Sequence, residues 1–92
     1  LNSNEKQFVD DILPIMSGFK NPASVRFNEV RKMLSGPYLF EVSAQNGFGG
    51  NTVMTYFYDK SDNTFMEWTV GTLGDALRAD LITQAVHEKL GY

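Results

Sequence analysis

The sequence predicts an α+β fold: an N-terminal helix, a four-stranded antiparallel meander and a C-terminal helix, with both helices on one face of the sheet. Amphipathic helical patterns lie at the two ends of the chain, and runs of alternating apolar and polar residues fill the middle. The connections between these runs are too short for crossover helices, so neighbouring strands must be antiparallel. We therefore expect residues 1–92 to form a single α+β domain.

The first helix is predicted over about residues 3–19, where apolar side chains recur at helical spacing. Asn2 is a candidate N-cap, and Glu5 follows three residues later, as in a capping box. Pro14 falls on the polar side, where we expect it to kink the helix. Gly18 marks the approach to the helix end.

Four strands follow along the chain. In the first, over residues 24–34, the apolar residues change phase near Asn28 and Glu29, and this predicts a β-bulge. Turn residues separate the later strands, which alternate between apolar and polar side chains. Their predicted ranges are residues 38–45, 52–59 and 65–70.

The second helix is predicted over about residues 72–90. Thr72 and Asp75 have the spacing of a capping box, and Gly91 is a natural C-terminal stop. The helix carries two apolar stripes, so we expect it to contact both the sheet and the first helix. Contact with a second subunit is the alternative.

Composition and charge exclude several classes of function. The formal net charge is -3 and the longest basic run is Arg31-Lys32, so we do not expect binding to nucleic acid. No apolar run approaches the roughly 18 residues of a membrane-spanning helix. The absence of Cys excludes disulfides and thiol chemistry. Because the chain begins at Leu1 rather than Met, we expect it to be a fragment that lacks an upstream targeting region.

No catalytic or metal-binding set is visible in the sequence. His87 is the only histidine, and its place on a polar stripe predicts a solvated surface residue. Asp59, Ser61 and Asn63 match the first ligand positions of a calcium loop, but Thr64 replaces the required glycine, which favours a polar hairpin turn. We expect no catalysis, no metal ion and no cofactor. A small hydrolase whose groups converge only in three dimensions is the alternative.

The segment 46–51, Asn-Gly-Phe-Gly-Gly-Asn, is the most distinctive part of the chain. Its glycines allow positive φ and its asparagines bond locally, as in a wide turn or a bulged hairpin. A dinucleotide-binding loop is excluded, because a strand rather than a helix follows. Phe48 either folds back over the edge of the core, which we favour, or stands exposed as a contact anchor.

The aromatic residues of the middle strands suggest a second surface. They cannot all face one side of the sheet, and we expect the face without helices to present tyrosines, as recognition surfaces do. A small second core or a dimer contact explains them equally well, so the chain is expected to be a monomer or a weak homodimer. The aromatic residues concerned are Phe40, Tyr56, Phe57, Tyr58 and Trp68.

Two segments resemble a pattern in small bacterial exported proteins, lipoproteins and phage-borne proteins of uncharacterised activity. They are residues 19–27, Phe-Lys-Asn-Pro-Ala-Ser-Val-Arg-Phe, and residues 43–50, Ser-Ala-Gln-Asn-Gly-Phe-Gly-Gly. The resemblance, which extends from residue 19 to residue 50, covers about a third of the chain. Asn51 stands where that family usually has an aromatic residue. The resemblance implies an extracellular or cell-envelope location, with a lipid anchor in a region before Leu1 as one form of it.

These observations predict a non-catalytic, exported or cell-surface module that binds a protein, a peptide or an envelope ligand. The binding surface would be the glycine-rich loop and the neighbouring sheet surface. An inhibitor that inserts this loop into the cleft of a secreted or envelope enzyme is the alternative. Two cations that could bracket an acidic partner complete the set of candidate binding residues, which are Asn46, Phe48, Gly49, Gly50, Asn51, Lys20 and Arg26.

Overall fold

The computed structural model describes residues 1–69 and 73–92, which form two helices and a five-stranded antiparallel sheet. The sheet order is β4-β3-β2-β1-β5, so the predicted meander is confirmed and a fifth strand is added beside β1. The elements are α1 (Ser3–Met16), β1 (Arg26–Lys32), β2 (Tyr38–Gln45), β3 (Asn51–Asp59), β4 (Thr64–Glu67), β5 (Asp75–Leu77) and α2 (Ala79–Leu90).

The predicted capping box at the start of α1 is confirmed. The Asn2 side-chain oxygen accepts from the Glu5 backbone N–H at 2.8 Å, and the Glu5 carboxylate accepts from the Asn2 backbone N–H at 2.8 Å. Pro14 lies exposed within the helix, which ends at Met16, before the predicted end. The chain then leaves the helix through a turn in which the Gly18 N–H donates to the Ile15 carbonyl.

The predicted bulge in β1 is also confirmed. The register of β1 against β2 shifts between Phe27 and Glu29. Because of this shift, Phe27 and Val30 are both buried although they differ by an odd number of positions. The extra residue, Asn28, is exposed.

Both helices pack on the same face of the sheet, as predicted. The Phe8 ring of α1 makes edge contacts with Phe27 at 5.5 Å and Phe40 at 5.4 Å between centroids. Ile82 and Val86 of α2 are fully buried in the same cluster. A single apolar core therefore lies between the helices and strands β1–β3.

The prediction of a helix over residues 73–78 is wrong. Asp75–Leu77 instead form β5, which pairs with β1. Without this strand the outer edge of β1 would expose unpaired backbone groups. Gly74 has φ +93°, which lies outside the helical region, so α2 cannot extend back through this residue. Thr72, the proposed start of the capping box, lies outside the described residues, as does Val70 at the predicted end of the fourth strand.

The expectation that tyrosines line the sheet face without helices is wrong as well. Tyr56 and Tyr58 pair with Phe40 and Tyr38 and so lie on the helix side. On the other face, Phe57 stacks against Trp68 with a centroid distance of 5.3 Å. The hydroxyl-bearing rings therefore belong to the surface beneath the helices.

An ion pair joins the two helix starts. The Glu5 carboxylate is 1% exposed and accepts from Arg78 through the backbone N–H at 2.8 Å, Nε at 2.9 Å and Nη2 at 2.6 Å. The hydrogen bonds from the Arg78 side chain are the largest cause of a shift that lowers the pKa of Glu5 to about 2. Burial opposes this shift, and the hydrogen bond from the Asn2 N–H adds to it. Glu5 thus caps α1 and also anchors the residue that precedes α2.

Candidate functional site

A cleft of about 360 Å³ opens between the end of α1, the glycine-rich loop and the helix side of strands β2 and β3. Its floor consists of alternate residues from the two strands: Val42 and Ala44 from β2, Met54 and Tyr56 from β3. The other lining residues are Gly18, Phe19, Lys20, Gln45, Asn46, Gly47, Phe48 and Thr52.

The glycine-rich loop is held in shape by the Asn46 side chain. Its Oδ1 accepts from the backbone N–H groups of Phe48 at 2.9 Å and Gly50 at 3.1 Å. The Asn46 N–H also donates to the Gly50 carbonyl at 2.7 Å. Gly49 has φ +85°, which a side chain would strain. The loop is therefore a hydrogen-bonded turn.

The chain between α1 and β1 is bonded to the base of this loop. Asn21 Nδ2 donates to Gln45 Oε1 at 2.8 Å, and Ser24 Oγ accepts from the Gln45 backbone N–H at 2.9 Å. Lys20 lies against the loop, with Nζ 3.5 Å from the position that a Cβ on Gly47 would occupy. The two segments that carry the family resemblance are therefore neighbours in space, and both contribute to the cleft.

The predicted binding residues divide into three groups. Lys20, Asn46 and Phe48 line the cleft. Gly49 and Gly50 shape the loop but do not line the cleft.

The third group consists of two residues, Asn51 and Arg26, that do not line the cleft. Asn51 is the first residue of β3 and pairs with Gln45. Arg26 is exposed and pairs with Ser43, on the sheet face opposite the cleft floor. The structure does not bring Lys20 and Arg26 together, because Lys20 lines the cleft on the helix side of the sheet and Arg26 lies on the other face.

Phe48 does not fold back over the core, so the favoured expectation for this residue is wrong. Its side chain is fully exposed, with a relative accessibility of 101%, at the rim of the cleft. The turn explains the difference, because the N–H groups of Phe48 and Gly50 both donate to Asn46 Oδ1 and hold the backbone with the ring outside the core.

The floor residues were not among the predicted binding residues. Val42 and Ala44 alternate with outward-facing positions, so the shared face of β2 was readable from the sequence. Their juxtaposition with Met54 and Tyr56 depends on strand register, which the sequence does not specify in advance. Burial, and then the nearby Glu67 carboxylate, raise the pKa of Tyr56, so its hydroxyl remains protonated at neutral pH.

His87 is not the solvated surface residue that the sequence predicts. It is half-buried, and its Nε2 lies 2.7 Å from the Val25 carbonyl oxygen, which requires that this nitrogen carry the proton and donate. His87 does not line the cleft, and neither do any of the described carboxylates.

The Asp59 region is a hairpin turn, as predicted. Asp59 Oδ1 accepts from the Ser61 backbone N–H at 3.0 Å and from its hydroxyl at 2.7 Å, and Asn63 takes the positive φ of 56°. Across residues 1–69 and 73–92, no group of three or more His, Cys, Asp or Glu side chains could hold a metal ion. In the same ranges, no helix is long and apolar enough to cross a bilayer.

Comparisons with known proteins leave the cleft itself as the basis for assigning a function. No protein-family model matches this chain, and neither a curated protein nor a solved structure does.

Proposed function

We propose that the chain is a non-catalytic binding module that holds part of a protein or peptide partner in the cleft beside the glycine-rich loop. One observation carries the proposal: the cleft joins an apolar floor to a hydrogen-bonded loop that keeps an aromatic side chain exposed at its rim. Pockets of this composition, mostly apolar with a few placed polar groups, are typical binding sites. Exposed aromatic anchors supply much of the binding energy at interfaces.

The proposed setting is outside the cell or in its envelope, including a lipid-anchored form. Its support is the resemblance of residues 19–27 and 43–50 to exported bacterial proteins. Fractionation of producing cells with an antibody to the native protein tests this location. Recovery in the cytosolic fraction alone would contradict it.

Partner capture from envelope and secreted fractions tests the binding function. Phe48→Ala removes the exposed ring, and Leu34→Ala is its matched control, since Leu34 is also fully exposed, at 100%, on the β1–β2 connection. We expect Phe48→Ala to lose a partner that Leu34→Ala retains, with equal melting temperatures. Retention of every partner by the Phe48 variant would refute the assignment.

An inhibitor that inserts the loop into an enzyme cleft is a second candidate. The full exposure of Phe48 on a turn fixed by Asn46 favours it, because a rigid protruding side chain can enter a partner's pocket at little entropic cost. Met54→Ala separates the two candidates. A partner that enters this chain's cleft should be lost with Met54→Ala and Phe48→Ala alike, whereas an enzyme that receives the loop should be lost with Phe48→Ala only.

A further inference from the structure

The side chains of Asn46 and Gln45 present hydrogen-bond donors at the cleft. Asn46 uses Oδ1 to accept from two backbone N–H groups, and Gln45 uses Oε1 to accept from Asn21. The polar atoms that remain on these two side chains, Nδ2 and Nε2, can only donate. Within the described part of the chain, neither nitrogen has an acceptor. Acceptor oxygens on a ligand would match these two nitrogens.

Lys20 adds a positive charge to these donors. Among residues 1–69 and 73–92 it forms no ion pair and no side-chain hydrogen bond, whereas Lys60 and Arg78 each pair with a carboxylate. No described carboxylate lines the cleft, although the chain as a whole carries a net charge of -3. The complementary ligand group is therefore an anionic oxygen acceptor such as a carboxylate.

The apolar floor lies within the same small volume as the donors. Ala44, Met54 and Tyr56 are half-buried beside Lys20. About 360 Å³ is near the lower end of the roughly 300–1,000 Å³ range of small-ligand pockets, so one compact unit must carry both the carboxylate and the apolar group. In a peptide, the C-terminal residue carries a carboxylate and a side chain on the same Cα. Capture of that carboxylate is a known mode of peptide recognition.

We propose that the cleft binds the C-terminal residue of a partner peptide. The donors of Lys20, Gln45 and Asn46 hold the terminal carboxylate, and the last side chain, which is apolar, lies on Met54 and Tyr56. This inference rests on the proposed binding function and names the chemistry of its ligand.

Titration of the ¹⁵N-labelled chain with short peptides, followed by NMR, tests the inference. The probes are acetyl-Gly-Gly-Phe with a free carboxylate, the same peptide with a C-terminal amide, and acetyl-Gly-Asp-Phe-Gly amide, whose only carboxylate is internal. We expect the free acid to shift the amide signals of residues 20 and 46–48 in a saturable way. The two amidated peptides should bind at least about tenfold more weakly.

Charge variants at one position sharpen the test. Lys20→Gln should weaken binding of the free acid by about fivefold or more, and Lys20→Arg should retain it, because either cation can pair with a carboxylate. Lys6→Gln makes the same change of charge at an exposed position of α1 outside the cleft, and it should leave binding unchanged. Circular dichroism melting curves verify that each variant is folded.

Three results would overturn the inference: equal binding of the amidated peptide, tighter binding of the peptide with the internal aspartate, or no saturable shift at millimolar concentrations. The proposed function is scored separately by partner capture with Phe48→Ala and Met54→Ala. If those variants lose a partner while the free-acid peptide does not bind, the binding function stands and only the C-terminal assignment fails.

Discussion

Replacing Glu5 with Gln removes the buried charge that links the starts of α1 and α2 while keeping the size of the side chain. Glu5 is 1% exposed and its partner Arg78 has a side chain that is 56% exposed. The pKa of Glu5 falls from 4.5 to about 2 in the folded chain, which corresponds to about 3 kcal/mol of stability. Solvent around the Arg78 guanidinium screens part of this interaction. We therefore expect Glu5→Gln to lower the free energy of unfolding by about 1–2 kcal/mol at pH 7.

The pH dependence follows from the direction of the pKa shift. Because the folded state lowers the pKa of Glu5, the unfolded chain binds more protons than the folded chain between about pH 4.5 and 2. The stability that Glu5 supplies is therefore present above pH 4.5 and is lost as the pH falls towards 2. The difference between wild type and Glu5→Gln should shrink to less than about 0.5 kcal/mol near pH 2.5.

Urea unfolding at pH 7 and pH 2.5 measures this difference, since a non-ionic denaturant does not screen the pair. Glu88→Gln on the exposed side of α2 makes the same change of charge and serves as the control. A double-mutant cycle with Arg78→Gln should give a coupling energy of about 1–2 kcal/mol at pH 7. A coupling energy near zero, or the same loss at both pH values, would refute the account.

Two further predictions compare matched pairs of substitutions by urea unfolding. The Tyr38 hydroxyl is a buried group without a partner among the described residues, whereas the Tyr58 hydroxyl donates to a backbone carbonyl at 3.2 Å. Tyr38→Phe should therefore leave the free energy of unfolding unchanged, and Tyr58→Phe should lower it by about 1 kcal/mol. The reverse order would contradict this. Gly74 and Gly91 both have positive φ, but a Cβ on Gly74 would lie 2.6 Å from the Lys32 carbonyl oxygen while Gly91 faces open space. Gly91→Ala should lower the free energy of unfolding by about 1 kcal/mol, and Gly74→Ala should lower it by at least about 1 kcal/mol more. Equal losses would show that β5 moves away from the added methyl group at little cost.

Features fixed by local interactions were predictable from the sequence. The capping box of Asn2 and Glu5 needs only residues three apart, and the bulge beside Asn28 follows from a change of phase within one strand. Strand β5 was not predictable in this way. Asp75-Ala76-Leu77 has little intrinsic preference for a strand, and it forms one because β1 offers an unpaired edge. That partner is more than forty residues away in the sequence.

The same distinction applies to the cleft. The glycine-rich turn was recognisable because Asn46 and Gly49 determine it locally. The second function of Glu5, as the acceptor for Arg78, and the placement of Lys20 beside the loop both depend on tertiary contacts. Sequence reasoning could therefore name residues near the site but could not separate Lys20, which lines it, from Arg26, which lies across the sheet.

The internal hydrogen bonds of the loop bear on how the cleft would hold the proposed ligand. Because Asn46 and Gln45 commit their acceptor oxygens within the fold, their amide donors are already placed before a ligand arrives. Binding then avoids most of the cost of ordering loop side chains, about 0.5–1.5 kcal/mol for each one that a flexible site would have to immobilise. Asn46 Oδ1 already accepts two hydrogen bonds within the turn, so it has no lone pair left for a donor group of a ligand. The atoms of Asn46 that shape the turn therefore also decide which of its atoms remain for the proposed recognition of a ligand.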